Sequence, residues 1–257
     1  LLNSRNVIPG IPKLTEILFG LSAKRRLPTW RGRYNSPPEL PTTNKPAVIL
    51  LGDTFNRSFE PQNLYAARDI LDHLGFDVIE PKPQKESRPI CCGRTFLAAG
   101  LIDEARIEAI RFVETVNPWI KKGIPIVGLE PSCLLTLRDE FLALLPESSS
   151  AALSKNAYLF EEFLSKILNE GSHTLNLKKA AGPIFLHGHC HQKAARVMSP
   201  IESILRRIPD VDLHIIDSSC CGMAGHFGYQ KETYDISVAM AEAKLLPAVR
   251  KIPDSGI

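Results

Sequence analysis

Short apolar runs alternate with longer amphipathic segments through most of the chain. Apolar runs of four to six residues predict buried strands, and segments with a period near 3.6 residues predict helices. The predicted strands are Ala47–Leu51, Phe76–Ile79, Ile124–Leu129, Pro183–His187 and Val211–Ile216. The predicted helices are Lys13–Ala23, Asn63–Leu74, Ile102–Val116, a segment from about Cys133 through Leu145, Lys155–Leu168, Lys193–Arg207 with a break near Ser199, and Gln230–Val249. Strands that alternate with helices in this way favour crossover connections, so we expect an α/β fold with mostly parallel sheets.

The order of strand, helix, strand and Cys-Cys-Gly occurs twice, which predicts an internal repeat. The first copy ends at Cys91-Cys92-Gly93 and the second at Cys220-Cys221-Gly222. We therefore expect two related Rossmann-like halves whose cysteines lie at the carboxyl ends of the strands and face each other across a pseudo-twofold axis. In this alignment Cys190 falls opposite Thr54.

Four segments follow from the pattern. We expect an N-terminal arm or linker over residues 1–45, a first half over 46–148, an insertion over 149–182 and a second half over 183–257. The arm contains a basic stretch and then a proline-rich one, which favour a solvated connector, or a contact with an anionic partner, over a packed element. The repeat also places a further cysteine at about position 262, beyond Ile257. We therefore expect a piece of a longer protein with a truncated second half.

Composition narrows the function classes. The chain has 257 residues, of which 44% are hydrophobic and 23% charged, as is ordinary for a globular protein. A net charge of +3 does not favour nucleic acid as a partner. No apolar run approaches the length of a membrane span, and no secretory signal stands at the start, so a cytoplasmic location is expected.

The two Cys-Cys-Gly motifs are the strongest chemical signal. Adjacent side chains on a strand point to opposite faces, so both sulfurs can meet one centre only if the backbone turns, as glycine permits. Two thiolates about 4 Å apart repel by roughly 4 kcal/mol at an effective dielectric of 20. A metal, helped by the N-terminus of a helix after each pair, would offset that repulsion. Six cysteines in this arrangement indicate metal or redox chemistry in a reducing compartment.

Two candidate ligand sets result. Cys190, Cys220 and Cys221 form one, and Cys91, Cys92 and Cys133 form the other, although buried free cysteines are also common in cores. Three cysteines and one histidine would make an ordinary zinc site, for which the candidates are His189, His191 and His226. Arg94 is a candidate for balancing thiolate or substrate charge, and no catalytic residue is assigned.

Four longer stretches strengthen the metal interpretation. They are ICCGRTFLAAG, PIVGLEPSCLLTLRDE, LHGHCHQKA and SSCCGMAGHFGYQKETYDISVAMAE. Over about residues 45 to 257 they resemble the cysteine-rich CCG domain family. That family includes heterodisulfide reductase catalytic subunits and the iron–sulfur subunits of glycolate, lactate and glycerol-3-phosphate dehydrogenases. The sequences of these four stretches most resemble the C-terminal region of large FAD-linked oxidases of D-2-hydroxy acids.

The resemblance implies iron–sulfur centres of the 4Fe–4S type, with Cys190, Cys220 and Cys221 as the ligands in the second half and Cys91, Cys92 and Cys133 as those in the first. It implies electron transfer from a FAD on an upstream domain or partner subunit, which oxidises a glycolate-, D-lactate- or 2-hydroxyglutarate-type acid, to an electron acceptor. A location peripheral to the inner membrane would fit this role. Thr54 departs from the family pattern because relatives with a full first motif carry cysteine there. A zinc-binding or metal-free docking module and a thiol–disulfide reductase site are the alternative hypotheses.

Overall fold

The computed structural model describes residues 2–32, 34–36, 44–83 and 88–257. The chain forms two compact units. The first unit comprises Arg31–Asn176 and Ala195–Ile204. The second unit comprises Leu1–Trp30, Leu177–Ala194 and Leu205–Ile257. Each set of three cysteines therefore lies within one unit.

Thirteen α-helices are found in the described residues, most of them short. They are α1 Ile11–Phe19, α2 Thr54–Ser58, α3 Pro61–His73, α4 Arg94–Ala98, α5 Ile102–Ile120, α6 Pro131–Arg138, α7 Glu140–Leu144, α8 Glu147–Asn156, α9 Phe160–Asn169, α10 Cys190–Ala194, α11 Ser199–Leu205, α12 Tyr234–Glu242 and α13 Leu245–Val249. Two 3-10 helices cover Leu2–Asn6 and Phe227–Tyr229. Over the described ranges, no helix has both the length and the apolar character that crossing a membrane requires.

The first unit is built on a four-stranded parallel sheet. Its strands lie in the order β2-β1-β3-β4. They are β1 Ala47–Leu51, β2 Asp77–Ile79, β3 Ile126–Gly128 and β4 Ala157–Leu159. Three of these strands lie within or on the predicted ones. The fourth, β4, interrupts the segment Lys155–Leu168, which was predicted to be one continuous helix.

Both faces of this sheet are covered, which is why β1 is apolar along its whole length. Ile49 and Leu51 pack on one face, in a core that includes Phe112 of α5 and Phe141 of α7. Val48 and Leu50 point to the opposite face, where they join a core formed with α3 and α9. Strand β4 thus belongs to this sheet and α9 to its core. The predicted insertion over residues 149–182 stays a prediction.

The second unit contains a pair of parallel strands, β5 Ile184–Leu186 and β6 Leu213–Ile215. Ile257 forms hydrogen bonds with the edge of β5 that is not paired with β6. Phe185 N–H donates to the Ile257 carbonyl at 2.8 Å, and Ile257 N–H donates to the Pro183 carbonyl at 2.9 Å. The α/β fold with parallel sheets is thus confirmed in both units, and among the described residues four strands belong to the first sheet and two to the second.

The N-terminal residues make backbone hydrogen bonds within the second unit, and the predicted arm or linker over residues 1–45 stays a prediction. Leu21 forms an antiparallel bridge with Gln230. Ser22 N–H donates to the Tyr229 carbonyl at 2.8 Å, and Lys231 N–H donates to the Gly20 carbonyl at 2.7 Å. Residues up to Trp30 therefore belong to the second unit. Most of the proline-rich stretch, residues 37–43, lies outside the described residues.

Candidate functional site

The three cysteines of the first unit meet at one pocket. Cys91, Cys92 and Cys133 line it together with Asp53 and Thr54, and with Leu51 and Ile90. Thr54 begins α2 shortly after β1, and Cys133 lies in the first turn of α6 after β3. The Cys91-Cys92 pair follows β2. Because β1, β2 and β3 are parallel, these residues gather at the carboxyl ends of neighbouring strands, where open α/β sheets bind ligands.

A glycine turn brings the first pair of sulfurs together. Gly93 has φ of +73° and its N–H donates to Cys91 Sγ at 3.4 Å. A Cβ at this position would lie 3.0 Å from the carbonyl oxygen of Ala105 on α5, so a side chain here would also be tightly packed. Helix α4 begins at the next residue, as the sequence suggested. The turn is therefore fixed both by backbone conformation and by space.

The thiols of the first set hydrogen-bond to one another. Hydrogen bonding with Cys133 is the main cause that raises the pKa of Cys92, which is buried. The pKa of Cys91 is raised by its hydrogen bond with Cys92 and by burial. Without a metal, both thiols are therefore protonated at neutral pH and are poor nucleophiles. A metal would bind by displacing these protons.

Two carboxylates at the strand ends were missed by the sequence analysis. Asp53 is buried and caps α2, where it accepts from the N–H groups of Phe55 and Asn56 at 2.9 and 3.0 Å. Glu130 caps α6 and accepts from Ser132 N–H at 3.1 Å. Burial is the main cause that raises the pKa of Asp53, and the negative charge of Glu130 adds to it. An aspartate directly before a helix is an N-cap signal that could have identified Asp53, and Pro131 at the first position of α6 could have pointed to Glu130 before it.

An ion-paired cluster on α5 holds the loop before Cys91. Glu108 is buried and pairs with Arg111 at 2.6 Å and with Arg88 at 2.5 Å. Arg111 also donates to the backbone carbonyls of Arg88 and Pro89 at 3.1 and 2.7 Å. The loop is thereby anchored to α5 two residues before the cysteine pair.

The remaining candidates of the first unit occupy different positions. Thr54 is exposed but lines the pocket, at the place where the repeat predicts a ligand. Arg94 forms an ion pair with Glu140. Its charge is thus already balanced by a carboxylate, and a role toward thiolate or substrate stays a prediction.

The cysteines of the second unit are also grouped, but they are more accessible. Cys190, Cys220 and Cys221 are all half-buried. Burial raises the pKa of Cys190, and the neighbouring Cys220 and Cys221 raise it further. Gly222 has φ of +77° and its N–H donates to Cys220 Sγ at 3.3 Å. This turn repeats the one at Gly93. A helix does not follow it directly, however, because α12 begins only at Tyr234.

Strand hydrogen bonding supports the predicted equivalence of Thr54 and Cys190. The backbone N–H of Ile49 bonds on the side of β1 where β3 lies, so the backbone of Val48 bonds on the opposite side, toward β2. The backbone N–H of Ile184 bonds toward β6, the second strand of its pair. When Gly52 is matched with Gly188, Val48 coincides with Ile184 and Thr54 with Cys190. Both residues begin a short helix after the first strand of their unit. Whether the two units superpose and face each other across a pseudo-twofold axis stays a prediction.

The histidines of the second unit do not share one role. The rings of His189 and His191 lie with centroids 5.2 Å apart, and His189 Nδ1 accepts from His191 N–H at 3.2 Å. His226 is exposed. His187, which was not among the candidates, lies with Nδ1 2.7 Å from Ser218 Oγ. Lys193 Nζ, from α10, donates to the Ser218 carbonyl. His187 and Lys193, which both follow β5 in the chain, therefore hold the loop that carries Cys220.

The chain is similar in sequence to components of two dehydrogenases. It is 30% identical to one subunit of the anaerobic glycerol-3-phosphate dehydrogenase of Escherichia coli K12 over 263 positions, which cover all of the chain and 63% of that subunit. It is 24% identical to the D-2-hydroxyglutarate dehydrogenase of Pantoea ananatis over 80% of the chain and 19% of that enzyme. The corresponding enzyme of Escherichia coli K12 is 25% identical over the same shares. The chain thus spans under two thirds of the first relative and about a fifth of the other two.

No protein-family model matches the chain, and no solved structure matches it. The similarity to dehydrogenase components therefore rests on the whole-chain alignment and on the residues described above.

The donor sets fit an iron–sulfur cluster only in part. All six cysteines are free thiols, three in each unit. In the described part of the chain, no three side chains of His, Cys, Asp or Glu already stand in a metal-holding arrangement. Clusters of this kind usually take four protein ligands, and each set supplies three thiolates.

Proposed function

We propose that the chain is the iron–sulfur electron-transfer part of a FAD-linked dehydrogenase and a member of the CCG domain family. One observation carries the proposal: two Cys-Cys-Gly turns have the same geometry at the carboxyl ends of parallel strands. Each turn has a glycine with positive φ, an N–H that donates to the first sulfur of the pair, and a third cysteine from another part of its unit. Free cysteines buried at random would not repeat this arrangement.

Cys91, Cys92 and Cys133 would hold one cluster, and Cys190, Cys220 and Cys221 the other. A bound iron–sulfur cluster supplies one-electron transfer. The protein's part is to hold the sulfurs, to donate hydrogen bonds to them and to limit solvent access, which together set the reduction potential. The N–H groups of Gly93 and Gly222 already donate to sulfur in this way. Thr54 offers a hydroxyl where the first set would need its fourth thiolate.

The proposed electron donor is a reduced flavin on a partner subunit or an upstream domain. Glycerol-3-phosphate and D-2-hydroxyglutarate, the compounds in the names of the relatives, are both secondary alcohols. Oxidation of such an alcohol to a ketone releases two electrons and two protons. A bound FAD on the partner or upstream domain would accept them and would supply one-electron transfer, which suits a chain of one-electron centres. An electron acceptor and a location peripheral to the inner membrane complete the proposal.

A thiol–disulfide reductase site is less well supported. A catalytic thiol needs a lowered pKa, whereas the pKa values of Cys91, Cys92 and Cys190 are all raised. The raised values match thiols that become deprotonated only when a metal binds. A zinc-binding module remains the alternative of a different class and is separated by metal analysis.

The test is metal analysis of protein reconstituted anaerobically with iron and sulfide. We expect iron and acid-labile sulfide in near-equal amounts, with little zinc, and visible absorption that dithionite bleaches. Cys92→Ser and Cys221→Ser should each lower the iron content. Their matched controls are Thr95→Ala and Ser219→Ala, which change exposed side chains beside the same pairs.

Zinc without sulfide would replace the proposal with the zinc-binding module. Iron content that does not respond to either cysteine substitution would contradict the ligand sets. Turnover of a disulfide substrate by metal-free protein would favour the reductase hypothesis.

A further inference from the structure

We propose that Arg25, from the segment expected to be a solvated arm, is a positioning residue of the second cysteine set. Its guanidinium contacts one residue next to the turn that carries Cys221 and one residue of α12, the helix that packs against this turn. One nitrogen donates to the thioether sulfur of Met223, and the other donates to Ser237 Oγ at 3.2 Å. Arg25 thus bridges the cysteine turn and helix α12.

The bridged residues are those that confine the turn. Met223 comes directly after Gly222. Ser237 is fully buried, and its backbone carbonyl lies so close to Gly222 that a Cβ there would overlap it. A buried hydroxyl needs a partner, and Arg25 supplies one. Holding Met223 and Ser237 together therefore holds Gly222, whose N–H donates to Cys220 Sγ.

Arg25 is itself held in place. Arg5 is buried, and it donates to the carbonyls of Arg25 and Ser22 at 2.8 and 2.7 Å. The Arg25 guanidinium also lies over the ring of Tyr234, 5.2 Å from its centroid. Since Tyr234 begins α12, the arginine contacts this helix at two points. These contacts give Arg25 one defined position.

The charge of Arg25 adds a second effect, which rests on the proposed function. Guanidinium stays protonated at any physiological pH, so it places a permanent positive charge beside the turn. An electron added to a cluster in this set would be stabilised by that charge. Arg25 should therefore raise the reduction potential of the second set.

The neighbour Arg26 provides the matched control. Its side chain is exposed, and within the part of the chain that the structure describes it makes no hydrogen bond or ion pair. Arg25→Met keeps the length of the side chain but removes its charge and both donors. Arg25→Lys keeps the charge but cannot reach both acceptors with a fork. Arg26→Met removes an equal charge from the adjacent position.

The first readout is hydrogen exchange of metal-free protein, followed by mass spectrometry. We expect Arg25→Met to speed exchange in residues 221–229 at least about tenfold, which corresponds to about 1.4 kcal/mol. Arg25→Lys should show a smaller increase, and Arg26→Met should match the parent. Exchange in β5, β6 and the turn at Gly93 should not change. Unchanged exchange in residues 221–229, or an equal increase in β5 and β6, would overturn the positioning role.

The second readout is a potentiometric titration of reconstituted protein. Arg25→Met should lower the potential of one signal, and Arg25→Lys should restore most of the loss. An unchanged potential would refute the charge effect. If the parent binds no cluster, the proposed function fails, and the exchange data still decide whether Arg25 positions the turn.

Discussion

Replacement of Gly222 by alanine tests the glycine turn of the second cysteine set, which has the same form as the turn at Gly93 in the first set. Two costs add at this position. The residue has φ of +77°, a conformation that costs an L-residue about 1–2 kcal/mol. The new Cβ would also overlap the Ser237 carbonyl oxygen and lie 3.2 Å from Ser237 Cα. Overpacking of this kind costs about 1–3 kcal/mol.

Gly225 separates the two costs. It lies in the same loop with φ of +65°, but a Cβ there would have no neighbour within 4 Å. Gly225→Ala therefore carries the conformational cost alone. The two variants should differ by the overpacking cost, about 1–3 kcal/mol, or roughly 5-fold to 150-fold in a local opening equilibrium.

The assay is hydrogen exchange over residues 219–229, combined with iron content after anaerobic reconstitution. Gly222→Ala should open the segment more than Gly225→Ala does, and should lower the iron bound by the second set without changing the first. Equal opening in the two variants would refute the close packing of Gly222 on Ser237. Normal iron content in Gly222→Ala would refute a role for the turn in ligation.

Three further predictions follow from the same contacts. Thr54→Cys should raise the iron content of the first set after reconstitution, because Thr54 lines the thiol pocket. The control Thr115→Cys, on α5, should not raise it. Equal iron content in the two variants would show that position 54 does not supply a ligand. In metal-free protein, iodoacetamide should modify Cys220 and Cys221 before Cys92 and Cys133, which are only 5% and 8% exposed; mass spectrometry gives the order, and the reverse order would contradict the described burial. Burial raises the pKa of Asp53 above its ordinary value of 3.8, so the folded state favours the protonated carboxyl. The stability that the protonated Asp53 contributes is present below pH 3.8 and is lost as the pH rises from 3.8 through the raised pKa of the folded state. Urea unfolding of Asp53→Asn should therefore show a weaker decline over that window, and an identical pH profile would contradict the raised pKa.

The hydrophobic pattern was sufficient for most of the fold. Ala47–Leu51 is apolar throughout because both faces of its sheet are covered, and such a run is the typical signal of a buried parallel strand. Strand β4 was missed for a physical reason. Only three residues long, it lies between two helices without an intervening glycine or proline, so its apolar residues continue the helical pattern on either side.

The cysteine groups could be predicted because the residues lie at matching places in a repeat. Their surroundings could not. Arg25 lies about 200 residues from Met223 in the chain, and nothing in a basic stretch distinguishes an arginine that packs from Arg26, which is exposed. Glu108 and Arg111 likewise have the spacing of an ordinary surface ion pair, and their contact with the loop before Cys91 depends on tertiary packing.

The most direct test of the account is electron paramagnetic resonance of the dithionite-reduced, reconstituted protein and its Cys92→Ser and Cys221→Ser variants. Two cysteine sets in separate units should give two signals. Cys92→Ser should alter or remove one, Cys221→Ser the other, and Thr95→Ala and Ser219→Ala neither. A single signal that changes in the same way in both variants would contradict two separate sets, and the absence of any iron–sulfur signal from protein that contains iron would contradict the central claim.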